Sequence, residues 1–399
     1  MKPAYILASL TILPAVAACA ADLPHTADVR LIRVPEGGIQ PQLAVDQQGT
    51  LHLIYYRGDP RSGDIYYVRS PDGGATFSVP LRVNNVPESA VAAGTIRGAQ
   101  LALGEKGGIH VAWNGSSKAQ PRGPLNPEQA SDSPHNGTPM LYSRMSSNGD
   151  GFEPQRNLMQ RTFALDGGGS IAADRAGNVY VAWHGGAHGA PKGEGGRSVW
   201  IAVSRDSGKT FAPETRAWNE ATGACACCGL RVFAGRMGGV SLLYRSAKET
   251  FHRDIYWLAS QDLGKSFRGT LVDRWNVGAC PMSSMHLTEG PAGLLGAWET
   301  QDQVYFARLD AAALQGSQKV AAPGTGTKRK HPWIAANSTG DTILLWTEGT
   351  GWGKSGDLLW QIFGRDGRPR GGPGRISSIP AWSFGAAFAD RDGKFAIVY

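Results

Sequence analysis

Apolar and polar positions alternate in short runs along most of the chain, and one pattern keeps returning. A strand of small apolar residues is followed by a polar turn holding glycine, then by a second strand that ends on an aromatic residue. Residues 41–56 and 98–113 carry it, and it recurs at 169–183, 229–244, 283–298, 332–346 and 383–399. Alternation of period two, broken by glycine turns, predicts antiparallel β-hairpins. Each of the first six hairpins is followed by a further strand, for example residues 64–70, 198–204 and 254–260. Inner strands followed by outer strands, repeating at roughly fifty to seventy residues, predict four-stranded blades around an axis. The seventh hairpin has no strand after it, so residues 28–34 are the segment available to complete the last blade and close the ring. Closure removes the exposed sheet edges on which other chains would add. The aromatics that end the hairpins, Tyr56, Trp113, Trp183, Tyr244, Trp298 and Trp346, recur too regularly for a binding platform and are expected between blades.

Composition adds weight to the all-β reading: 54 Gly, 24 Pro and 12 Trp in 399 residues describe a large β protein with ample chain for a core. A formal charge of +7 does not make a nucleic-acid binder here, because the basic residues are scattered and only residues 328–330 form a run. Such a surface is solvated, with some attraction to anionic glycans or envelope surfaces. Met1-Lys2 precedes an apolar stretch over residues 6–18, which has the length and flanks of a secretory signal. It ends Val16-Ala17-Ala18-Cys19, which resembles a bacterial lipobox with Cys19 as the lipidated first mature residue; plain cleavage between small residues is the alternative. The expectation is a signal over residues 1–19 and one propeller domain over 28–399. The protein is then a monomer in the periplasm or cell envelope that touches membrane only through an N-terminal lipid.

Between the third and fourth strands of several units lies a second motif. Ser70-Pro-Asp-Gly-Gly-Ala-Thr-Phe77, Ser204-Arg-Asp-Ser-Gly-Lys-Thr-Phe211 and Ser260-Gln-Asp-Leu-Gly-Lys-Ser-Phe267 resemble the Asp-box of the sialidase superfamily, and Ser146-Ser-Asn-Gly-Asp-Gly-Phe152 is a shortened copy. Asp72, Asp206 and Asp262 are expected to cap backbone N–H groups of their turns, with Gly supplying a positive φ. Their role is structural. The resemblance implies a sialidase-like β-propeller. Sialidases have six blades, whereas seven hairpins are counted here, and seven is the preferred number.

The same resemblance defines what a sialidase site would require: three arginines for a substrate carboxylate, an Asp acid, and a Tyr nucleophile activated by Glu. Aligning the family's Arg-Ile-Pro motif on Pro41 puts Ile39 where the first Arg belongs, while Arg33-Val-Pro35 falls too early, in the closing strand. The stretch Arg57-Gly-Asp-Pro-Arg-Ser-Gly-Asp64 resembles the segment that holds the acid, which makes Asp59 the carry-over and Asp64 a weaker one. An Asp-Pro turn with Arg57 paired to Asp59 is the competing reading. Trp382 stands where the nucleophilic Tyr belongs, and an indole cannot attack an anomeric carbon. Two expected positions are therefore empty, and sialidase activity is not expected on this register.

A cysteine cluster occupies the equivalent space. Cys225, Cys227 and Cys228 precede the fourth inner strand, and Cys280 lies at the start of the fifth, so the repeat register brings them to adjacent blades at one mouth of the channel. Three chemistries fit. Disulfides, with Cys227 or Cys228 bridged to Cys280, suit an exported chain. A soft-metal site, copper before zinc, would use the thiolates with Met282, Met285 or His286 as neighbours. A thiol redox site on Cys225 and Cys228 is the third. Around the mouth, Arg97, His331, Arg57 and Trp382 are candidate ligand-binding residues. Arg231 and Arg245 could contact anions, and His184 and His188 sit in a glycine-rich loop. Two function classes follow. The chain is either a binding protein for a glycan, a metal or an envelope protein on a degenerate sialidase scaffold, or a glycoside hydrolase with Asp59 as acid.

Overall fold

The computed structural model describes residues 29–133 and 136–399. The expected signal over residues 1–19, with Cys19, and Asp28 lie outside them. Seven sheets follow one another along the chain. Their innermost strands are Ile39–Val45, Gln100–Leu103, Ser170–Ala173, Arg231–Ala234, His286–Gly290, Lys330–Ala336 and Ala386–Ala389. These strands pack each against the next and the last against the first, so the sheets form a closed seven-bladed propeller, numbered here as blades 1 to 7.

Four blades have the expected four strands, blades 3 and 5 have five, and blade 7 has three. The closing strand is shorter than residues 28–34 and pairs differently from the other outer strands. Arg30–Ile32 runs parallel to Phe395–Val398, with Leu31 opposite Ile397. The direction follows from connectivity. An outermost strand must lead to the innermost strand of the next blade, so it runs the same way as the second strand of its own blade. Among the described residues no strand lies between the blade 7 hairpin and the closing strand, which therefore meets that second strand directly and in parallel. Val34 N donates to Tyr399 O at 2.9 Å and Tyr399 N to Ile32 O at 3.0 Å, which extends the seal to the last residue.

The core is divided as the repeats require. Seven apolar clusters occupy the seven interfaces between blades: Ile54, Ile65, Val111 and Trp113 between blades 1 and 2, for example, and Phe306, Ile334, Trp346 and Phe363 between blades 5 and 6. All six hairpin-terminal aromatics are buried in these clusters. The three Ser-x-Asp-x-Gly turns share one hydrogen-bond pattern. In the first, Ser70 Oγ donates to Asp72 Oδ1 at 2.7 Å, and Thr76 N and Oγ1 donate to the same carboxylate at 2.9 and 2.6 Å. Asp206 and Asp262 repeat it.

Alanines from six of the seven inner strands line a central channel of about 450 Å³. At one end Arg231 crosses it, donating to the Oε1 atoms of Gln42 and Gln100 with its guanidinium 5.7 Å from the Trp333 ring. Beyond this plug, Ile96, Leu230, Ser284, His331 and Phe384 enclose a void of only about 30 Å³. The mouth expected to hold a ligand cleft is closed by side chains that converge from the loops before the inner strands.

Candidate metal centre

The segment entering blade 4 is held on several sides before any thiol chemistry is considered. Gly223 turns it with φ +62°, Cys225 N donates to Arg245 O at 2.9 Å, and Gly229 N donates to Ser283 O at 3.0 Å. Ala224 N donates to Glu194 O and Ala226 N to Glu194 Oε1 at 2.7 Å, so the turn at Glu194–Gly196 braces it from blade 3. His184 Nε2 lies 2.9 Å from Cys228 O. Burial and the neighbouring Arg197 charge lower the His184 pKa, so the ring is neutral and donates from Nε2 to that carbonyl. Gly167 packs beneath: a Cβ there would fall 2.2 Å from Cys228 O and 2.6 Å from Ala226 O. Gly167→Ala is therefore expected to push the 226–228 backbone outward, costing about 1–3 kcal/mol and exposing the buried thiols to a thiol reagent. Unchanged reactivity and an unchanged melting temperature would contradict this packing.

So anchored, the segment brings three sulfurs together. Cys225 Sγ is 3.2 Å from Cys228 Sγ and 3.5 Å from Cys227 Sγ, and the three lie within 4.8 Å of one another. Cys225 and Cys228 are 1% exposed and Cys227 is 8% exposed. Ala247 and Met282 complete the apolar wall around them. The four cysteines among the described residues stand as free thiols, with no bridge from Cys227 or Cys228 to Cys280. Cys280 is nevertheless close. It is exposed, and its sulfur, that of Cys227 and a carboxylate oxygen of Glu194 form a second group within 4.8 Å of one another.

The charge is placed on one sulfur. Burial opposes ionisation of Cys228, but the thiols of Cys225 and Cys227 donate towards it, and the Arg245 charge and Ser283 N–H add to them. Its pKa is held well below the ordinary thiol range. Cys227 is pushed up, first by its hydrogen bonds to Cys225 and Cys228 and then by burial. Arg245, fully buried, donates to Glu299 Oε2 at 2.9 Å and to Arg253 O at 2.9 Å. Arg253 in turn donates to Glu194 Oε2 at 2.7 Å. Two cations thus stand behind the trio, and Cys228 is the sulfur whose pKa is drawn down.

The remaining candidates lie elsewhere. His286 is not among the clustered donors; it stacks on Trp333 at 4.0 Å in the channel wall. His188 is exposed, edge-on to Phe163. Asp59 sits exposed at the hairpin tip of blade 1, where Oδ1 accepts from Arg61 N at 2.8 Å. Arg57 pairs with Glu36 rather than with Asp59. Asp64 accepts from Asn84 Nδ2 and Glu88 N, both at 2.7 Å. Arg97 is committed to Asp166, 2.5 Å from its Oδ1, and to Ala93 O. His331 is buried, and desolvation lowers its pKa to about 3. Trp382 adopts φ +67°, accepts from Gln40 Nε2 through its carbonyl, and meets the exposed Trp352 edge-on at 4.9 Å. Tyr55 donates to Glu36 at 3.4 Å, but burial raises its pKa, the reverse of what a nucleophilic phenol needs. Glu194, Arg253 and Arg245 are the functional surroundings that the cysteine pattern does not announce.

No protein-family model matches the chain, and no curated protein matches it. Solved structures share its fold. A protein of unknown function from Dyadobacter fermentans is 15% identical with a TM-score of 0.51, over 88% of this chain and 98% of that one. A Hadza microbial sialidase is 14% identical with a TM-score of 0.49, over 77% of this chain and 63% of its own. An α-L-arabinanase from Penicillium chrysogenum is 15% identical with a TM-score of 0.47, over 86% and 94%. The likeness is one of fold.

Proposed function

We propose that this protein is an exported β-propeller that binds a soft metal ion, Cu(I), through Cys225, Cys227 and Cys228. The observation that carries this reading is the convergence of three unbridged sulfurs within 4.8 Å in a buried, cation-backed pocket. Thiolates select soft ions, and three sulfurs without a fourth buried donor in the group match a three-coordinate monovalent ion better than tetrahedral zinc. The thioether of Met282 against the trio keeps the surroundings soft and dry. Cys228 offers the most acidic sulfur of the trio, and loss of protons from Cys225 and Cys227 completes the set. The signal over residues 1–19 would put this chemistry in the periplasm or cell envelope.

Glycoside hydrolysis receives no comparable support. The mouth is plugged, Asp59 serves a turn, and Trp382 takes the nucleophile's place. The test is an anaerobic titration of reduced protein with Cu(I) against a chromophoric Cu(I) chelator, with a fluorogenic sialoside assay beside it. One ion retained per chain, sulfur-only coordination by X-ray absorption, and sialoside turnover at background are expected. Failure to compete for Cu(I) would overturn the metal reading. Turnover abolished by Asp59→Ala would restore the hydrolase.

A further inference from the structure

The buried trio is not alone, for Cys227 belongs to two donor groups at once. Its sulfur lies within 4.8 Å of Cys225 and Cys228 on the inner side and of Cys280 and a Glu194 oxygen on the outer side. Exposure grades along this line. Cys225 and Cys228 are 1% exposed, Cys227 is 8% exposed, and Cys280 lies on the surface beside Gly278 and Ala279, which are exposed with it. Metal–sulfur bonds of about 2.3 Å let one ion touch two donors up to roughly 4.6 Å apart. Neighbouring sulfurs at this spacing can share an ion during its passage.

We propose that Glu194, Cys227 and Cys280 form an outer loading site that takes Cu(I) from a thiol-bearing carrier and passes it to the buried trio; this rests on the metal-binding reading above. The steps are ligand exchanges with no change in oxidation state. Cys280 sulfur bonds the incoming ion and gives its proton to the carrier's departing thiolate. Cys227 then bonds the same ion and gives its proton to the last carrier thiolate, so the ion stays two-coordinate as that sulfur leaves. Cys228 and Cys225 bond next, the Cu–Cys280 bond breaks, and Cys280 recovers a proton from the last inner thiol to ionise. Donor chemistry sets the direction. The outer group offers two sulfurs and a carboxylate oxygen, a poor partner for a soft cation, whereas the inner group offers three sulfurs. Glu194 is held by Arg253 and by Ala226 N, which fixes the outer group to the segment that carries the inner one.

The test compares loading rate with final affinity, using the Cu(I)–glutathione complex as carrier and the full-length reduced protein. Cys280→Ser is expected to retain one ion per chain at unchanged affinity against the chelator, while loading at least about tenfold more slowly, since exchange rates follow access to the attacking thiol. Because Cys280 is exposed, the substitution spares the core. Loading at the wild-type rate would overturn the relay. Lost affinity would overturn it too, by making Cys280 a ligand of the final site. A wild-type protein that takes up no Cu(I) would instead bring down the metal-binding reading, a different and separable result.

Discussion

Cys228→Ser is expected to abolish stable Cu(I) binding, weakening affinity by more than about a hundredfold, because even partners one shell removed from a metal are worth 10- to 100-fold. Cys228 is the sulfur on which the site's charge is concentrated: two thiols donate to it, Ser283 N–H points at it, and Arg245 stands behind it. A serine hydroxyl keeps the shape but stays protonated and hard. The two sulfurs that remain are those that donate their protons, so the buried site offers the ion no ready thiolate. The measurement is equilibrium competition with a chromophoric chelator, read beside the melting temperature of the metal-free variant. Affinity within threefold of wild type would sink the assignment of Cys228. The same variant separates inner from outer roles, since Cys280→Ser slows loading and leaves affinity intact.

The propeller was legible because its signal is repeated: seven hairpins of one pattern leave little freedom about blade number or about which strands lie innermost. The trio was legible for the opposite reason, being local, with Cys-x-Cys-Cys setting three sulfurs a few residues apart. Cys280 is 52 residues beyond Cys228 in the numbering and was placed by register; its sulfur lies within 4.8 Å of that of Cys227. The surroundings were not legible. Glu194, Arg253 and Arg245 reach the site from turns and strands of blades 3 and 4, and no spacing rule ties an isolated Glu or Arg to a cysteine in another loop. The closed mouth was equally hidden, because Arg231 fills it through side-chain length and through Gln42 and Gln100 from other blades. That the closing strand completes blade 7 was legible, but its parallel pairing was not, because pairing direction leaves no mark in the strand's own residues. Asp59 shows how a carried-over role fails locally: Asp-Pro at a hairpin tip already has a task, accepting Arg61 N.

Arg245→Met is expected to be the most destabilising of these substitutions, at about 3–5 kcal/mol, because it strands the buried Glu299 carboxyl without its partner. Both side chains of the pair are 0% exposed. Methionine fills much of the stem's volume, so the loss reports the charge rather than a cavity. The pH dependence identifies the cause. Burial pushes the Glu299 carboxyl from its ordinary value of 4.5 up to about 7 despite the opposing Arg245 charge. A raised acid pKa means that the folded state holds this proton more tightly than the unfolded one. Stability from this group is therefore fully present below about 4.5 and declines as pH rises through about 7. Without Arg245 the folded-state value climbs further, so the gap between variant and wild type widens from pH 6 to pH 8.5. Urea midpoints at the two pH values, with unchanged slopes, read this directly. The double variant with Glu299→Gln should recover much of the loss, since a neutral amide needs no counter-charge. A single-variant loss under about 1 kcal/mol, the range of exposed pairs, would show the pair to be dispensable.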